Sequence, residues 1–265
     1  MTNRRYARIL PGSSKAEAKM TSEMLRAAVR NNALWCNSVC QAQGVPGEFS
    51  ATLWLHRQGT PPFYPDVITL TGAGSAREQE EAIAVLIRSR KGGWGVKDSY
   101  AALTLTPLGF EILFEAEWIG IEAVEIHAPK EQSLTWKRIT TAVELELWER
   151  AWGAGEPPQT TPIFAEPLLR NADIAFLAAF ESEALCGGGI LNRQSHVVGH
   201  SNVFAIKKRD RAIRAGLVQK AAEIFPGMPI VGYEHGDDLS DALELGFTSL
   251  GPLRVWGSPE RLTEM

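Results

Sequence analysis

Three consecutive residues near the C-terminus, Tyr233, Glu234 and His235, are the side chains of this sequence best suited to moving protons. They close the apolar run Pro229-Ile-Val-Gly-Tyr233, which reads as a strand. Alternation along that strand sends Val231, Tyr233 and His235 to one face and Gly232 and Glu234 to the other. Glu234 or His235 is then a candidate general base and Tyr233 a candidate acid. Each taken alone also has a structural reading, the one its position favours, as a solvated strand end or a packed ring. A second chemical feature lies upstream. The segment Lys207 to Arg214 holds five basic residues and one acid, and it opens a helix. Positive side chains sit badly at the N-terminus of a helix dipole unless an anion shares the site, so Arg211 and Arg214 are candidates for phosphate. Thr71-Gly-Ala-Gly74 is a rival anion site, because it follows a strand and opens a helix. It lacks the basic cluster, and a tight turn accounts for it as well.

No metal centre is expected. Asp237-Asp238 serves as cap and first-turn charge of a short helix. Cys36 and Cys40 have neither zinc nor redox spacing, and His196 and His200 fall in a strand. The three cysteines read as buried free thiols, and the expected compartment is the cytoplasm or another reducing one. A net charge of −4 argues against a nucleic-acid binder that works through its whole surface. The N-terminal Met1-Thr-Asn-Arg-Arg5 has no apolar run behind it, so no secretory signal is expected, and no segment reaches membrane-spanning length.

The elements that must position these groups follow from periodicity. Helices are expected over Ala16 to Arg30, Ala33 to Gln43, Ser75 to about Arg90 and Thr141 to Trp152, with a shorter one over Pro162 to Leu169. Ser75 with Glu78 has the pattern of a capping box. On the helix Thr141 to Trp152, Val143, Leu147 and Trp148 are expected to share the buried face. Strands are expected at Phe49 to His56, Val67 to Leu70, Trp94 to Lys97, Ile112 to Trp118, Ile174 to Phe180, Gly188 to Asn192 and Val197 to Ile206. After the basic loop come a helix to Phe225, a strand to Tyr233, a short helix from Asp238 to Leu245 and a last strand, Leu250 to Trp256. The pattern is α/β (α+β), with a mixed sheet flanked by helices. Most of the eight tryptophans read as core. Trp35, Trp54 and Trp118, with Phe63 and Tyr64, are candidates for lining an acceptor pocket.

The two halves align with each other at a nearly constant offset. Val67-Ile-Thr-Leu70 matches Val203-Phe-Ala-Ile206, Gly109-Phe110 matches Gly246-Phe247, and Trp118 matches Trp256. Two related halves are therefore expected, residues 1–130 and 131–265, joined near Ala128 to Ser133.

The strand, basic loop, helix, strand and short helix that end in Glu244-Leu-Gly-Phe247 resemble the cofactor half of the GNAT N-acetyltransferases. The resemblance covers roughly Leu134 to Trp256, with residues 1–130 as a divergent or degenerate copy. It implies acetyl-CoA or another acyl-CoA as co-substrate and direct acyl transfer to a small-molecule or peptide amine, without a metal, a nucleic acid or a membrane. It places the pantetheine arm against the backbone of Val203, Phe204 and Ala205. The family's pyrophosphate loop, Arg/Gln-x-x-Gly-x-Gly/Ala, falls on Arg211, Arg214, Ala215 and Gly216, with Arg214 where the first glycine belongs. The tyrosine that many members place four residues before the closing glycine is Ala242 here. Both departures favour an alternative, a non-catalytic binding or scaffold protein of the same fold.

Overall fold

The computed structural model describes residues 15–125, 134–153, 161–206 and 210–264. The expected junction of the halves, Ala128 to Ser133, and the basic residues Lys207 to Arg209 lie outside these. One sheet of eleven strands runs through the molecule, in the order β1-β2-β3-β4-β11-β5-β10-β9-β8-β7-β6. From the N-terminal side come β1 (Glu48–Phe49), β2 (Leu53–Leu55), β3 (Val67–Thr69), β4 (Gly95–Asp98) and β5 (Glu111–Ile121). From the C-terminal side come β6 (Thr135–Arg138), β7 (Ile174–Glu181), β8 (Ala184–Gln194), β9 (Val197–Ala205), β10 (Ile230–Glu234) and β11 (Thr248–Gly257).

The centre of the sheet is an exchange. The last C-terminal strand, β11, pairs antiparallel with both β4 and β5, while β5 pairs antiparallel with β10. Beyond these, β3 runs parallel to β4 and β9 runs parallel to β10. The order therefore reads alike outward from either side of the β5–β11 pair. Each of these two long strands follows a helical turn ended by a left-handed glycine, Gly109 (φ 84°) or Gly246 (φ 98°), and then a buried phenylalanine, Phe110 or Phe247. Glycine adopts that backbone without steric cost.

Helices cover both faces. On one, α1 (Lys15–Ala42) and α3 (Ala142–Trp152) bury Trp35, Val39, Leu145 and Trp148 against Ile68, Phe176 and Ile190. On the other, α4 (Asp210–Ile224) and α5 (Gly236–Glu244) bury Leu217, Ala221 and Ala242 against Ile121, Leu177 and Val198. Strand alternation separates these faces: Phe176 looks to the first core and Leu177 to the second. The Gly187–Gly189 run of β8 lets both layers approach. A Cβ on Gly188 would come 2.8 Å from the Trp148 indole nitrogen, and one on Gly189 would come 2.7 Å from Leu217. In the N-terminal part, α2 (Ala76–Leu86) buries Ile83 and Leu86 with Val67, Val96 and Trp256.

Several local expectations change. The two helices expected over Ala16 to Gln43 are one helix of 28 residues. Its polar middle is satisfied by tertiary partners: the Asn31 amide donates to the Asn192 carbonyl at 3.0 Å and accepts from the Asn192 amide at 2.9 Å. The strand expected over Phe49 to His56 is a hairpin of β1 and β2, because the Ser50 hydroxyl accepts from the Thr52 and Leu53 amides and turns the chain. Ser75 makes no side-chain cap, and Glu78 accepts from the Thr52 hydroxyl instead. That helix stops at Leu86. The segment around Pro162 to Leu169 forms only a 3-10 turn, Glu166–Arg170. On α3 the buried pair is Leu145 and Trp148, while Val143 and Leu147 are exposed. The reason is the Trp148 N–H, which reaches the Leu177 carbonyl at 2.9 Å and sets the helix rotation. Thr141 and Glu144 close that helix with a complete capping box. Among the described residues all three cysteines are free and buried, and no helix is long and apolar enough to cross a membrane.

Candidate active site

The site grows from the way β9 and β10 part. They are in parallel register only at Val198–Ile230 and Gly199–Val231. Beyond those pairs, Gly232 to Glu234 stay with β5 and Ser201 to Ala205 stay with β8. A wedge opens between two strands of one sheet. At its root the β8–β9 register shifts, and Asn202 takes a left-handed backbone (φ 50°) that asparagine tolerates better than most residues. A cleft of about 280 Å³ fills the wedge, lined among others by Ser201, Asn202, Val203, Arg214, Tyr233 and Glu234.

His200 stands at the closed end of the wedge. Its Nε2 would be only 2.3 Å from a Cβ on residue 232, so the strand opposite must carry glycine there. Burial pushes the His200 pKa down to about 3, and the nearby Arg214 charge adds to that. The imidazole is therefore neutral at neutral pH, and its buried Nε2 has no partner among the described residues.

Arg214 reaches in from α4, 3% exposed. Its guanidinium donates to Glu234 in a short ion pair and to Asp238 Oδ1 at 3.0 Å. Burial raises the Glu234 carboxyl above the usual range, Arg214 pulls it back, and Asp238 adds to the rise. Desolvation is the larger effect, so Glu234 is a more basic carboxylate than a surface glutamate. Tyr233, its neighbour, turns the other way. Its ring meets Trp118 edge-on at 5.5 Å and carries the Lys97 ammonium 4.1 Å from its centroid.

The wedge thus brings Tyr233, Glu234, Arg214 and Val203 to one cleft. His235 is outside it, exposed at the start of α5, with its ring 5.4 Å from Phe114. Phe204 turns to the α3 layer, its ring 5.2 Å from Trp148, and Ala205 pairs with Gly187. Arg211 is at the surface, 2.5 Å from Glu244. Ala215 is buried in α4. Gly216 backs onto the Trp136 ring, where a Cβ would come within 2.6 Å of Cζ2, so packing alone already demands glycine. Of the expected pocket aromatics, Trp35, Phe63 and Tyr64 line the cleft. Trp54 is fully buried, with its N–H on Asn37 Oδ1 at 3.1 Å, and Trp118 packs beneath Tyr233.

Sequence reasoning passed over Lys97, Asn32 and Trp152, which also line the cleft. Lys97 offered one signal: a lysine inside an apolar strand, Trp94-Gly-Val-Lys97, has to be buried or to face a site. Tyr64 is buried too, and burial drives its phenol well above the usual value. Its hydroxyl sits beside Trp35 and Asn202 without hydrogen-bond geometry to either. Among the described residues no cluster of His, Cys, Asp and Glu is arranged to hold a metal ion.

No protein-family model matches the sequence, and no curated protein matches it. Solved structures do match in shape. A conserved protein of unknown function from Staphylococcus epidermidis superposes with a TM-score of 0.57 at 10% identity, over 80% of this chain and 93% of its own. A GCN5-related N-acetyltransferase from Kribbella flavida gives 0.54 at 15% identity, covering 91% of this chain and 95% of that one. An acetyltransferase of the GNAT family from Novosphingobium aromaticivorans gives 0.53 at 12% identity, over 86% and 97%. Together with the parted parallel strands, the bulged central strand and the helix that follows it, these matches show that the chain has the fold of the GNAT N-acetyltransferases.

Proposed function

We propose that the protein is an acyl-CoA-dependent N-acyltransferase, with residues 131–265 supplying the coenzyme wedge and residues 1–130 a related half that completes the acceptor side. The observation that carries this reading is the parting of β9 from β10, with a part-buried, basic carboxylate at its edge. A wedge between parallel strands offers unpaired backbone groups to an extended, amide-bearing chain such as pantetheine. In this reading the backbone of Val203 to Ala205 makes that contact, and the unpartnered Ser201 hydroxyl and Arg214 Nε support it with polar groups. The coenzyme, when bound, supplies the activated thioester.

Glu234 takes the proton that the amine sheds as its nitrogen bonds to the thioester carbonyl carbon. Tyr233 returns a proton to the sulfur as the carbon–sulfur bond breaks. An alkylamine near pKa ~10.4 is almost wholly protonated at neutral pH, so one proton is first lost to solvent to free the lone pair; the proton Glu234 takes is the second, shed as the carbon–nitrogen bond forms. Arg214 holds Glu234 in position and limits the rise of its pKa.

Titration calorimetry with acetyl-CoA tests the reading. Saturable binding that weakens in Arg211→Ala and Arg214→Met supports it, and absence of binding at millimolar coenzyme ends it. A specific observation favours a second reading, a binding protein without turnover: Arg214 ties up Glu234, the carboxylate assigned here as base. Coenzyme binding with no thiol release across a broad panel of amines would establish that alternative.

A further inference from the structure

Acyl transfer leaves one conspicuous group of the cleft unused. Lys97 lines the same cleft as Glu234, 3% exposed, with Nζ donating to Asn32 Oδ1 at 2.9 Å and resting on the Tyr233 ring. Among the described residues it makes no ion pair. An ammonium has three donors, and burying its charge is unfavourable unless an anion or several acceptors compensate. One amide oxygen and one ring face leave that compensation incomplete. Two hydroxyls on the same cleft, Tyr64 Oη and Ser201 Oγ, are also buried without hydrogen-bond partners, and Tyr64 is only 5% exposed. Three polar groups without full partners thus line one cleft.

The mouth of the cleft has a different character. Phe63 and Trp152 meet edge to face, 5.6 Å between centroids. Phe63 is half exposed and holds a left-handed backbone (φ 68°), which is strained for a bulky residue and characteristic of ligand-contacting loops.

We infer that the acceptor is an amine that carries its own carboxylate, of the apolar amino-acid class. Lys97 takes the carboxylate, the Tyr64 hydroxyl donates to the same group, and Phe63 with Trp152 covers the apolar side chain. The fate of the amine rests on the acyl-transfer reading above; the recognition of the carboxylate does not.

The test pairs L-leucine, L-methionine, L-phenylalanine and L-tryptophan with their carboxamides. Binding is measured by calorimetry with and without coenzyme A, and turnover by thiol release from acetyl-CoA. At least one acid is expected to bind, and its amide to bind roughly 10- to 100-fold more weakly, the range of a lost hydrogen bond to a charged group. Lys97→Met should erase that preference by raising KM for the acid, with acetyl-CoA affinity and melting temperature retained. Lys97→Arg should keep part of the preference, which separates charge recognition from a folding defect. The inference is overturned if no acid binds, if amides bind as well as acids, or if Lys97→Met leaves the preference intact. Acids that bind through Lys97 in a protein that ignores acetyl-CoA would uphold it while removing the acyltransferase reading. Turnover of amines that lack a carboxylate as readily as amino acids would do the reverse.

Discussion

Glu234 carries two opposing influences, and their signs can be measured. Burial raises its pKa and Arg214 lowers it, with burial the larger. As a general base it works only when ionised, so kcat/KM should rise with pH on an acid limb whose midpoint lies above the ~4.3 of a free glutamate. Arg214→Met removes the attraction and should move that limb to still higher pH. Glu234→Gln should lower turnover by about 10²-fold or more, the usual worth of a positioned base, while leaving acetyl-CoA affinity in place. Stability follows from the same shift. A folded-state pKa above the unfolded one means that the native protein holds this proton more tightly. The contribution is full below the unfolded value and is lost as pH rises through the folded one, so Glu234→Gln should flatten that decline in urea titrations.

At the scale of elements, the question is what the small residues of α4 are for. The family pattern assigns Gly216 to close approach of a pyrophosphate, but in the fold its missing side chain makes room for Trp136 of β6. Gly216→Ala should destabilise the protein by about 1–3 kcal/mol through overpacking, read as a lower melting temperature. Trp136→Leu in the same chain should recover most of that loss if packing is the cause. A coenzyme affinity that falls equally in both backgrounds would instead return Gly216 to the ligand. The basic character of α4 has a similar lesson. Arg211 and Arg214 looked like an anion site because of the residues before them in sequence, yet they are matched by Glu244, Glu234 and Asp238, which arrive from α5 and the end of β10. Lys97 is the reverse case, a single lysine in an unremarkable strand that becomes the least compensated charge of the cleft once folded.

At the scale of the molecule, the insertion of β11 between β4 and β5 ties the N-terminal and C-terminal stretches of the chain together. Without β11, β4 loses the neighbour on one side, and without β5, β10 loses its antiparallel partner and the wedge loses a wall. Residues 1–130 and 131–265 expressed separately should each lack cooperative unfolding, because each would leave a long sheet edge unpaired. Mixed during refolding, they should regain a single transition together, and independent, cooperative folding of either piece would contradict this. The intact chain should unfold in one step in calorimetry.

Order along the chain was readable without coordinates because it depends on local chemistry. Apolar alternation marked most strands, and the glycines of the two Gly-Phe pairs, Gly109 and Gly246, both take the left-handed backbone; the capping box lies instead at Thr141 and Glu144, where none was expected. Those signals suffice for a mixed sheet, for the GNAT-like order of its second half and for Tyr233 and Glu234 at the end of a strand. Long-range partners decided everything else. Asn31 and Asn192 make one helix where polarity suggested two, and Trp148 turns α3 away from its expected face. Arg214 meets a carboxylate twenty residues away, and Lys97 meets Tyr233 from far along the chain. Sequence periodicity records which face of an element is buried, whereas a site is made by which faces meet, and that is settled only when strands from both ends of the chain share one sheet.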